Sequence, residues 1–515
     1  MKKLPIGIQT FSEIIDGGYY YVDKTPLISS MVTAGKYYFL SRPRRFGKSL
    51  LVSTLKAAFS GQKELFSGLY LETHWDWGIS YPVVSLSFGR GVVQSRPELD
   101  QRIDALLGEN AARHGIELKN PSLPDRFSEL IQALHRQSGQ RVVILVDEYD
   151  KPILDNIDRP EAALEIREGL KNIYSVIKDS DADIKFAFLT GVSKFSKVSL
   201  FSGLNNLEDI TLSPEYGTLC GYTEQELIDV FDDRLRDVDL GELSDWYNGY
   251  NFLGDAVYNP YDVLLYLKHR RFRNYWFETG SPSFLIKLVQ SRRYAVPNLE
   301  SIEAGDALLS SFDVDHIELE TLLFQTGYLT IKGTKQQGAR MIYRLGYPNR
   351  EVKMSLTESL LNHFVGRPME RERNLSAVYE ALNSGDVEAL AKIFHAFFAS
   401  IPYDWYRKNQ LSGYEGYYAS IFYCYFCTLG LDVVAEECSN KGRLDLAVRL
   451  EDKVYIIEFK VLGEKTAKGD ALQQIKAKGY AEKYRKAGRS IYLLGVEFNK
   501  EDRNIEGFEW EVFAV

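Results

Sequence analysis

Three stretches of the chain carry side chains in patterns that chemistry would use. Phe39 to Leu51 reads FLSRPRRFGKSLL, in which Gly47 allows close backbone approach, Lys48 offers an ammonium and Ser49 a hydroxyl. Set at the start of a helix, that trio suits a nucleotide: successive backbone N–H groups face the β-phosphate, Lys48 neutralises β/γ charge and Ser49 ligates Mg²⁺. The pattern G-x-x-x-x-G-K-[ST] would put its first glycine at Arg42. Arg42-Pro43 stands there instead, so the tight lead turn must be fixed by proline.

Arg141 to Asp150 reads RVVILVDEYD. The aliphatic run Val142 to Val146 predicts a strand buried on both faces, with two carboxylates at its end. Asp147 is placed to hold the water shell of Mg²⁺ opposite Ser49, and Glu148 to orient or deprotonate the water that attacks a γ-phosphate. Alone, these are a basic turn before a helix and an acidic turn after a strand. Together, at ordinary spacing, they predict nucleotide binding.

The third stretch, Gly442 to Lys460, reads GRLDLAVRLEDKVYIIEFK, two strands joined by a turn. If Glu451-Asp452 is a two-residue loop, Leu450 pairs with Lys453 and the count sets Asp445 opposite Glu458, their Cβ atoms about 5 Å apart. Lys460 shares the face of Glu458, with Ile456, Ile457 and Phe459 packing around. Two carboxylates that close repel unless a cation lies between them. Mg²⁺ or Mn²⁺ suits such oxygen ligands and could polarise a phosphodiester and activate water, with Lys460 positioning the nucleophile or stabilising charge. The competing reading is an exposed hairpin with a cross-strand salt bridge.

Alternating elements must position these groups. Tyr37 to Leu40 and Val83 to Phe88 read as strands, with helices over Pro97 to His114, Pro124 to Gln137 and between Glu161 and Ile177, then a strand at Ile184 to Leu189. That alternation means an α/β fold with a parallel sheet and ligands at the carboxyl ends of its strands. Thr190 and Ser193 then stand where a polar group senses a γ-phosphate, although Thr190 equally suits a turn cap. Lys194 to Leu207, rich in Ser, Asn and Gly, reads as a loop responsive to nucleotide. Before all this, Met1 to Lys36 is a lead-in with a helix starting at Thr25-Pro26.

From Thr223 the pattern turns helical behind a capping box, Thr223 to Glu226. Ser283 to Leu323 looks helical, and Tyr328 to Lys332 with Met341 to Leu345 form a hairpin across the polar turn Gly333 to Gly338. Helices then a hairpin suggest a winged-helix-like segment, read as a packing and switch element in preference to a nucleic-acid contact. A boundary near Gly366-Arg367-Pro368 precedes helices at Leu375 to Ala381 and Val387 to Phe398. The expected domains are 1–222, a P-loop ATPase sheet; 223–365, a helical lid and winged segment; and 366–515, a helical lead-in to a nuclease-like α/β domain.

At 515 residues, 45% hydrophobic and 26% charged, the chain has globular composition and length for two or three domains. Met1 to Gln9 has no apolar core of signal-peptide length, and Tyr417 to Leu431 falls short of a membrane span. A cytoplasmic protein with no membrane contact is expected. Four cysteines make no disulfide framework, and Cys424 and Cys427 read as buried thiols on a core helix. The net charge of −9 excludes a global basic field, so any nucleic-acid contact is local, the best stretch being Lys460 to Arg489.

These residues resemble a known family. YVDKT at Tyr21 to Thr25, RPRRFGKS at Arg42 to Ser49, LVDEYDKP at Leu145 to Pro152 and TGVSKFSKVSLFSGLNNL at Thr190 to Leu207 are similar to the bacterial AAA-ATPase-like family, in which the Arg-Pro start of the loop is usual. Asp445, Glu458-Phe459-Lys460, Gln474 on the following helix and Tyr480 beyond resemble the PD-(D/E)xK nuclease superfamily domain often attached to it. The resemblance implies an ATP-binding, ATP-hydrolysing module that uses Arg45, Phe46, Gly47, Lys48, Ser49, Leu50, Asp147 and Thr190, with Glu148 as base. It also implies a restriction-endonuclease-like domain in which Gln474 joins the catalytic set and Glu415, in GYEGYY, is a further candidate metal ligand. The expected function is an ATPase gating a metal-dependent nuclease. A nucleotide-dependent switch or scaffold that binds a partner or nucleic acid without cutting is the alternative, and the sequence sets no oligomeric state.

Overall fold

Apolar runs without alternation must be covered on both faces, and here they become the central strands of a parallel sheet. The computed structural model describes residues 1–195, 200, 204, 206–279, 288–289, 294–306, 309, 318–365, 368–400, 415–439, 442–462, 470–500, 502 and 504–513. In it β1 (Tyr37–Ser41), β2 (Val83–Ser87), β3 (Val142–Asp147), β4 (Ile184–Gly191) and the short β5 (Glu208–Asp209) pair in parallel in the order β2-β3-β4-β1-β5. Every residue of β1 and β3 is buried. Helices α1 (Lys48–Phe59), α2 (Arg96–Arg113), α3 (Leu123–Ser138) and α4 (Pro160–Asp179) make the crossovers. Because β4 alone separates β1 from β3, the glycine turn after β1 and the acidic turn after β3 open at the same sheet edge, where α/β folds hold ligands.

The chain forms two compact units, Met1–Trp276 with Glu303–Arg344, and Phe277–Ile302 with Leu345–Val515. The first unit continues through α5 (Glu224–Leu235), started by the reciprocal Thr223 and Glu226 capping box, then α6 (Pro260–His269) and α7 (Leu319–Thr326). Tyr20 and Val22 share one core with Leu227, Phe231, Tyr247 and Val263, so the lead-in is part of this helical layer. Three strands, β6 (Ile302–Gly305), β7 (Thr330–Gln337) and β8 (Arg340–Gly346), follow in the order β6-β8-β7. The hairpin strands outrun their apolar pattern: the expected six-residue turn shrinks to Gly338-Ala339, with Gly338 left-handed at φ 60°. Backbone pairing, not side-chain polarity, sets the strand ends there. Within the stretch expected to be helical, Val296–Glu300 is a 3₁₀ turn and Ile302–Gly305 a strand. Its residues 283–287, 290–293, 307–308 and 310–317 lie outside the described residues, as do 196–199, 201–203 and 205 of the expected loop Lys194 to Leu207, and 366–367 at the expected boundary.

In the second unit, α8 (Arg350–Val365), α9 (Val387–Ser400) and α10 (Glu415–Thr428) precede a mixed sheet. Its strands β9 (Asp432–Ser439), β10 (Gly442–Arg449), β11 (Lys453–Leu462), β12 (Ser490–Asn499) and β13 (Asn504–Phe513) lie in the order β13-β12-β11-β10-β9. β11 and β12 are parallel, so the chain must cross over between them, which it does through α11 (Asp470–Lys478). One sheet face sets Phe459 5.0 Å from Phe422 of α10, and Phe498 5.1 Å from Phe398 of α9. The other packs Val454, Ile456, Ile491 and Leu493 on Leu472 and Ile475 of α11. Ile457 and Phe459 therefore turn away from Glu458, and of the three expected apolar neighbours only Ile456 shares its side. Cys424 and Cys427 are buried free thiols on α10. No described helix is long and apolar enough to cross a membrane.

Candidate functional site

At the first sheet edge, Arg42 takes over the work of the missing glycine. Its buried guanidinium donates to the carbonyls of Ser41, Thr211 and Tyr216 at 2.9, 2.8 and 3.1 Å and lies 3.9 Å over the Phe252 ring. Hydrogen bonds thus hold the turn that conformation would otherwise set. Gly47 adopts φ 92°, a left-handed geometry that a side chain would strain, and α1 begins at the next residue. Lys48 is buried, its Nζ 2.9 Å from the carbonyls of both Arg42 and Pro43. Burial pushes its pKa down, and the charges of Asp147, Cys220, Asp150 and Glu148 oppose that. Ser49 and Leu50 follow, half-buried, on the first turn. The Phe46 ring packs 4.7 Å from Tyr250, and its carbonyl accepts from the Gly221 N–H at 3.2 Å. Arg45 is exposed, its guanidinium 4.7 Å over Tyr261.

Across β4, Asp147 ends β3 and accepts from the Glu148 N–H at 3.0 Å. Glu148 is left-handed at φ 53°, as is Arg45 at φ 67°, and such strain persists only where surroundings enforce it. The Glu148 carboxylate packs against Gly89, where a Cβ would fall 2.7 Å from Oε2. Burial, then the charge of Asp147, raises its pKa above the ordinary 4.5. Were Glu148 the base of an ATP turnover, the acid limb of its rate profile should lie above that value, and Glu148→Gln should lose the turnover. The same shift has a stability sign: a raised folded-state pKa favours folding below the ordinary value and is lost as pH climbs through the folded one. Glu148→Gln should therefore melt higher than wild type at pH 7, as calorimetry would check.

Thr190 is fully buried, and its hydroxyl donates to the Leu40 carbonyl at 2.8 Å, stitching β4 to β1. That donor is spent inside the sheet. Ser193 donates to Asp150 at 2.6 Å, and Asp150 also accepts from the N–H groups of Val192 and Ser193 at 3.0 and 2.6 Å. Asp150 thus clamps the end of β4 to the acidic turn, over a Gly191 whose Cβ would lie 2.3 Å from its Oδ1. Beside the turn lies a cleft lined by Ile14, Tyr21, Gly47, Leu51 and Tyr222, with Lys24 at its wall bonded to the Thr218 carbonyl and the Glu226 carboxylate at 2.7 and 2.6 Å.

In the second unit the ladder between β10 and β11 runs from Arg449↔Val454 to Leu446↔Ile457, and the next pair by count is Asp445 with Glu458. Asp445 Oδ2 accepts from the Phe459 N–H at 2.8 Å. Glu458 is buried, with Lys460 Nζ 3.7 Å away and Gln474 Nε2 donating to Oε1. Burial, reinforced by the charges of Glu458 and Asp445, raises the Tyr480 pKa, and a hydrogen bond from Gln474 acts the other way. Asp445, Glu458, Lys460, Gln474 and Tyr480 thus converge on the α11 face. Glu415 opens α10, but its side chain lies outside the described residues. Hard carboxylate oxygens beside a lysine fit Mg²⁺ or Mn²⁺ at Asp445 and Glu458. Among the described residues no group of three or more acidic, histidine or cysteine side chains is arranged to hold a metal.

The family described as Predicted AAA-ATPase matches residues 5–201, and the PD-(D/E)XK nuclease superfamily matches residues 413–508. A protein of Azotobacter chroococcum mcd 1, described as "Uncharacterized protein in vnfD 5'region", is 53% identical over 508 residues, 98% of each chain. The chain belongs to the AAA-ATPase-like family with an attached PD-(D/E)xK domain.

In this AAA-ATPase-like chain two residues outside the motifs position the second site. Gly495 of β12 pairs with Glu458, and a Cβ on it would meet the Leu472 backbone N at 2.5 Å, so α11 rests directly on that glycine. Glu497, buried and in register with Lys460, accepts from the Ala471 N–H at 3.1 Å and seats the start of α11. Gln474 reaches Glu458 because of both. Gly495→Ala should lift α11, cost about 1–3 kcal/mol of stability by overpacking, and lower metal-dependent cleavage about tenfold or more, as melting and a timed oligonucleotide assay would register. Motif spacing cannot find these residues, because a glycine pressed by a helix backbone reads like any glycine in a strand.

Proposed function

We propose that the chain binds and hydrolyses ATP at the β1–β3 edge and cuts phosphodiester bonds of nucleic acid at the β10–β11 site, with nucleotide state controlling cleavage. The observation that carries the nuclease reading is one buried carboxylate, Glu458, gripped by Gln474 and Lys460 with Asp445 beside it. Burying Glu458 beside a second, half-buried acid is costly unless a cation offsets their charge.

At the ATP end, Lys48 would exchange the Arg42 and Pro43 carbonyls for β- and γ-phosphate oxygens, and Glu148 would take a proton from the attacking water. The apolar and aromatic cleft beside Gly47 would take the nucleobase. Ser49 with Asp147, and Asp445 with Glu458, would hold divalent cations, which supply phosphate-charge neutralisation and polarise the bond to be broken. Lys460 stabilises charge developing on the phosphate, while Gln474 fixes the rotamer of Glu458. The α11 layer of Leu472 and Ile475 keeps bulk water from one side.

The test is cleavage of mixed DNA and RNA with Mg²⁺ or Mn²⁺, with and without ATP. Metal-dependent products whose rate responds to ATP support this reading. ATP turnover with no cleavage under either metal would leave a nucleotide-driven switch or scaffold.

A further inference from the structure

The proposed chemistry leaves one charged element unused. Thr330 to Gly346 holds Lys332, Lys335, Arg340 and Arg344 and no acid, in a chain of net charge −9. All four cations are exposed. The Arg344 guanidinium lies across Gly333 of β7, where a Cβ would sit 3.5 Å from Nη2, and the Arg340 guanidinium similarly lies 3.5 Å from the Cβ position of Gly305 on β6. Strand alternation then places Lys335 and Gln337 with Gly333, and Arg340 with Arg344, on one face. Glycines at both neighbouring strands keep that face low, as where another chain approaches closely. The acid on the same side is Glu303, two residues before Gly305. Asp306 is engaged by the Tyr343 hydroxyl at 2.7 Å.

The root of this hairpin is fixed to the nucleotide turn. Gly327, which ends α7 at φ 92°, packs on Pro43 so closely that a Cβ would lie 2.7 Å from the proline Cβ. Trp276 Nε1 donates to the Arg44 carbonyl at 3.1 Å, and Gln325 accepts from the Lys194 N–H at 2.9 Å. Thr330, the first residue of β7, accepts from the Asn251 N–H at 2.7 Å.

We propose that the β7–β8 hairpin is a nucleic-acid arm, in which Lys335, Arg340 and Arg344 receive the phosphate backbone of a polynucleotide and the packing of Gly327 on Pro43 links that engagement to the ATP turn. It rests on the reading that the chain acts on nucleic acid. Exposed cations that outnumber the acid Glu303 on their face recognise a phosphate backbone without selecting sequence. Because the link is thermodynamic, ATP and polynucleotide must change each other's affinity by the same factor.

Full-length protein is titrated into a fluorescent 20-base-pair DNA duplex, and into single-stranded RNA, in EDTA so that nothing is cut, across a range of salt; the effect of a non-hydrolysable ATP analogue is read in Mg²⁺ with protein carrying Glu458→Gln. The triple variant Lys335→Gln, Arg340→Gln, Arg344→Gln should weaken binding about tenfold or more near 0.1 M salt and flatten the log–log salt slope by about 2–3. Arg340→Lys with Arg344→Lys, which keeps the charge, should hold the slope. Equal affinity and slope in wild type and triple variant overturn the arm, and if wild type still cleaves in Mg²⁺ the nuclease reading stands without it. Equal losses in the glutamine and lysine variants also overturn it, since shape and not charge then matters. An affinity indifferent to the ATP analogue overturns the link to Pro43, and a wild type that binds neither DNA nor RNA overturns arm and nuclease reading together.

Discussion

Changing Glu458 to glutamine should reduce metal-dependent cleavage by about a thousandfold or more at saturating Mg²⁺, the scale on which a removed charge-stabilising group acts. Glutamine is the informative choice. It keeps a carbonyl oxygen for the Gln474 amide and fills the same buried volume, so α11 should stay seated on Gly495 while the negative charge that holds the cation is gone. Stability gives the counter-check. Glu458 is buried beside Asp445 on a neighbouring strand, and removing one of two adjacent negative charges relieves repulsion. The variant should therefore melt no lower than wild type. Asp445→Asn should lose a similar factor, and the double variant little more, because residues that hold one cation act as a unit. A Glu458→Gln protein that folds and cuts at the wild-type rate would remove this site from the chemistry. One that melts much lower would assign the carboxylate to the fold alone.

How far the sequence reached depended on whether local pattern or distant packing decided each feature. Val142 to Val146 could only be a two-sided strand, and Leu450 pairs with Lys453 because a two-residue turn leaves the register no freedom; the Leu450 N–H donates to the Lys453 carbonyl at 2.8 Å. From that single pairing, counting back brings Asp445 to Glu458. Counting alone, however, cannot weigh alternation against apolarity, and Phe459 faces α10 although it adjoins the acid in sequence. Thr190 illustrates a second limit. Its place at the end of β4 was legible, but not that the β1 carbonyl of Leu40 would claim its hydroxyl. Asp150 is a third: three residues past Asp147 it looks like one more solvated acid, yet burial and three donors from Val192 and Ser193 make it the clamp between β3 and β4. Ser490 to Phe513 carries no motif at all and still supplies Gly495 and Glu497. Such residues matter through partners dozens of positions away.

Replacing Lys48 with alanine should abolish the thermal protection that Mg-ATP gives the wild-type protein. A ligand at a hundred times its Kd stabilises by about 2.7 kcal/mol, several degrees for a chain this size, so the loss is easily read in a melting scan with and without nucleotide. Without nucleotide, the Lys48 ammonium bonds to the turn itself, 2.9 Å from the Arg42 and Pro43 carbonyls, among the charges of Asp147, Asp150 and Glu148. Alanine strips the turn of that donor and leaves Asp147 and Glu148 facing an anionic ligand with no ammonium between them. Affinity should fall about a hundredfold or more, and turnover with it. Arg42 should keep the turn in shape meanwhile, because its bonds to Ser41, Thr211 and Tyr216 do not involve Lys48. The unliganded variant would then fold, and its failure would be one of ligand and not of structure. Cleavage by this variant decides how the two ends are related. If it cuts at a rate that no longer responds to ATP, the nucleotide end governs the other through occupancy of this turn; if its rate still follows ATP as wild type does, control does not pass through Lys48.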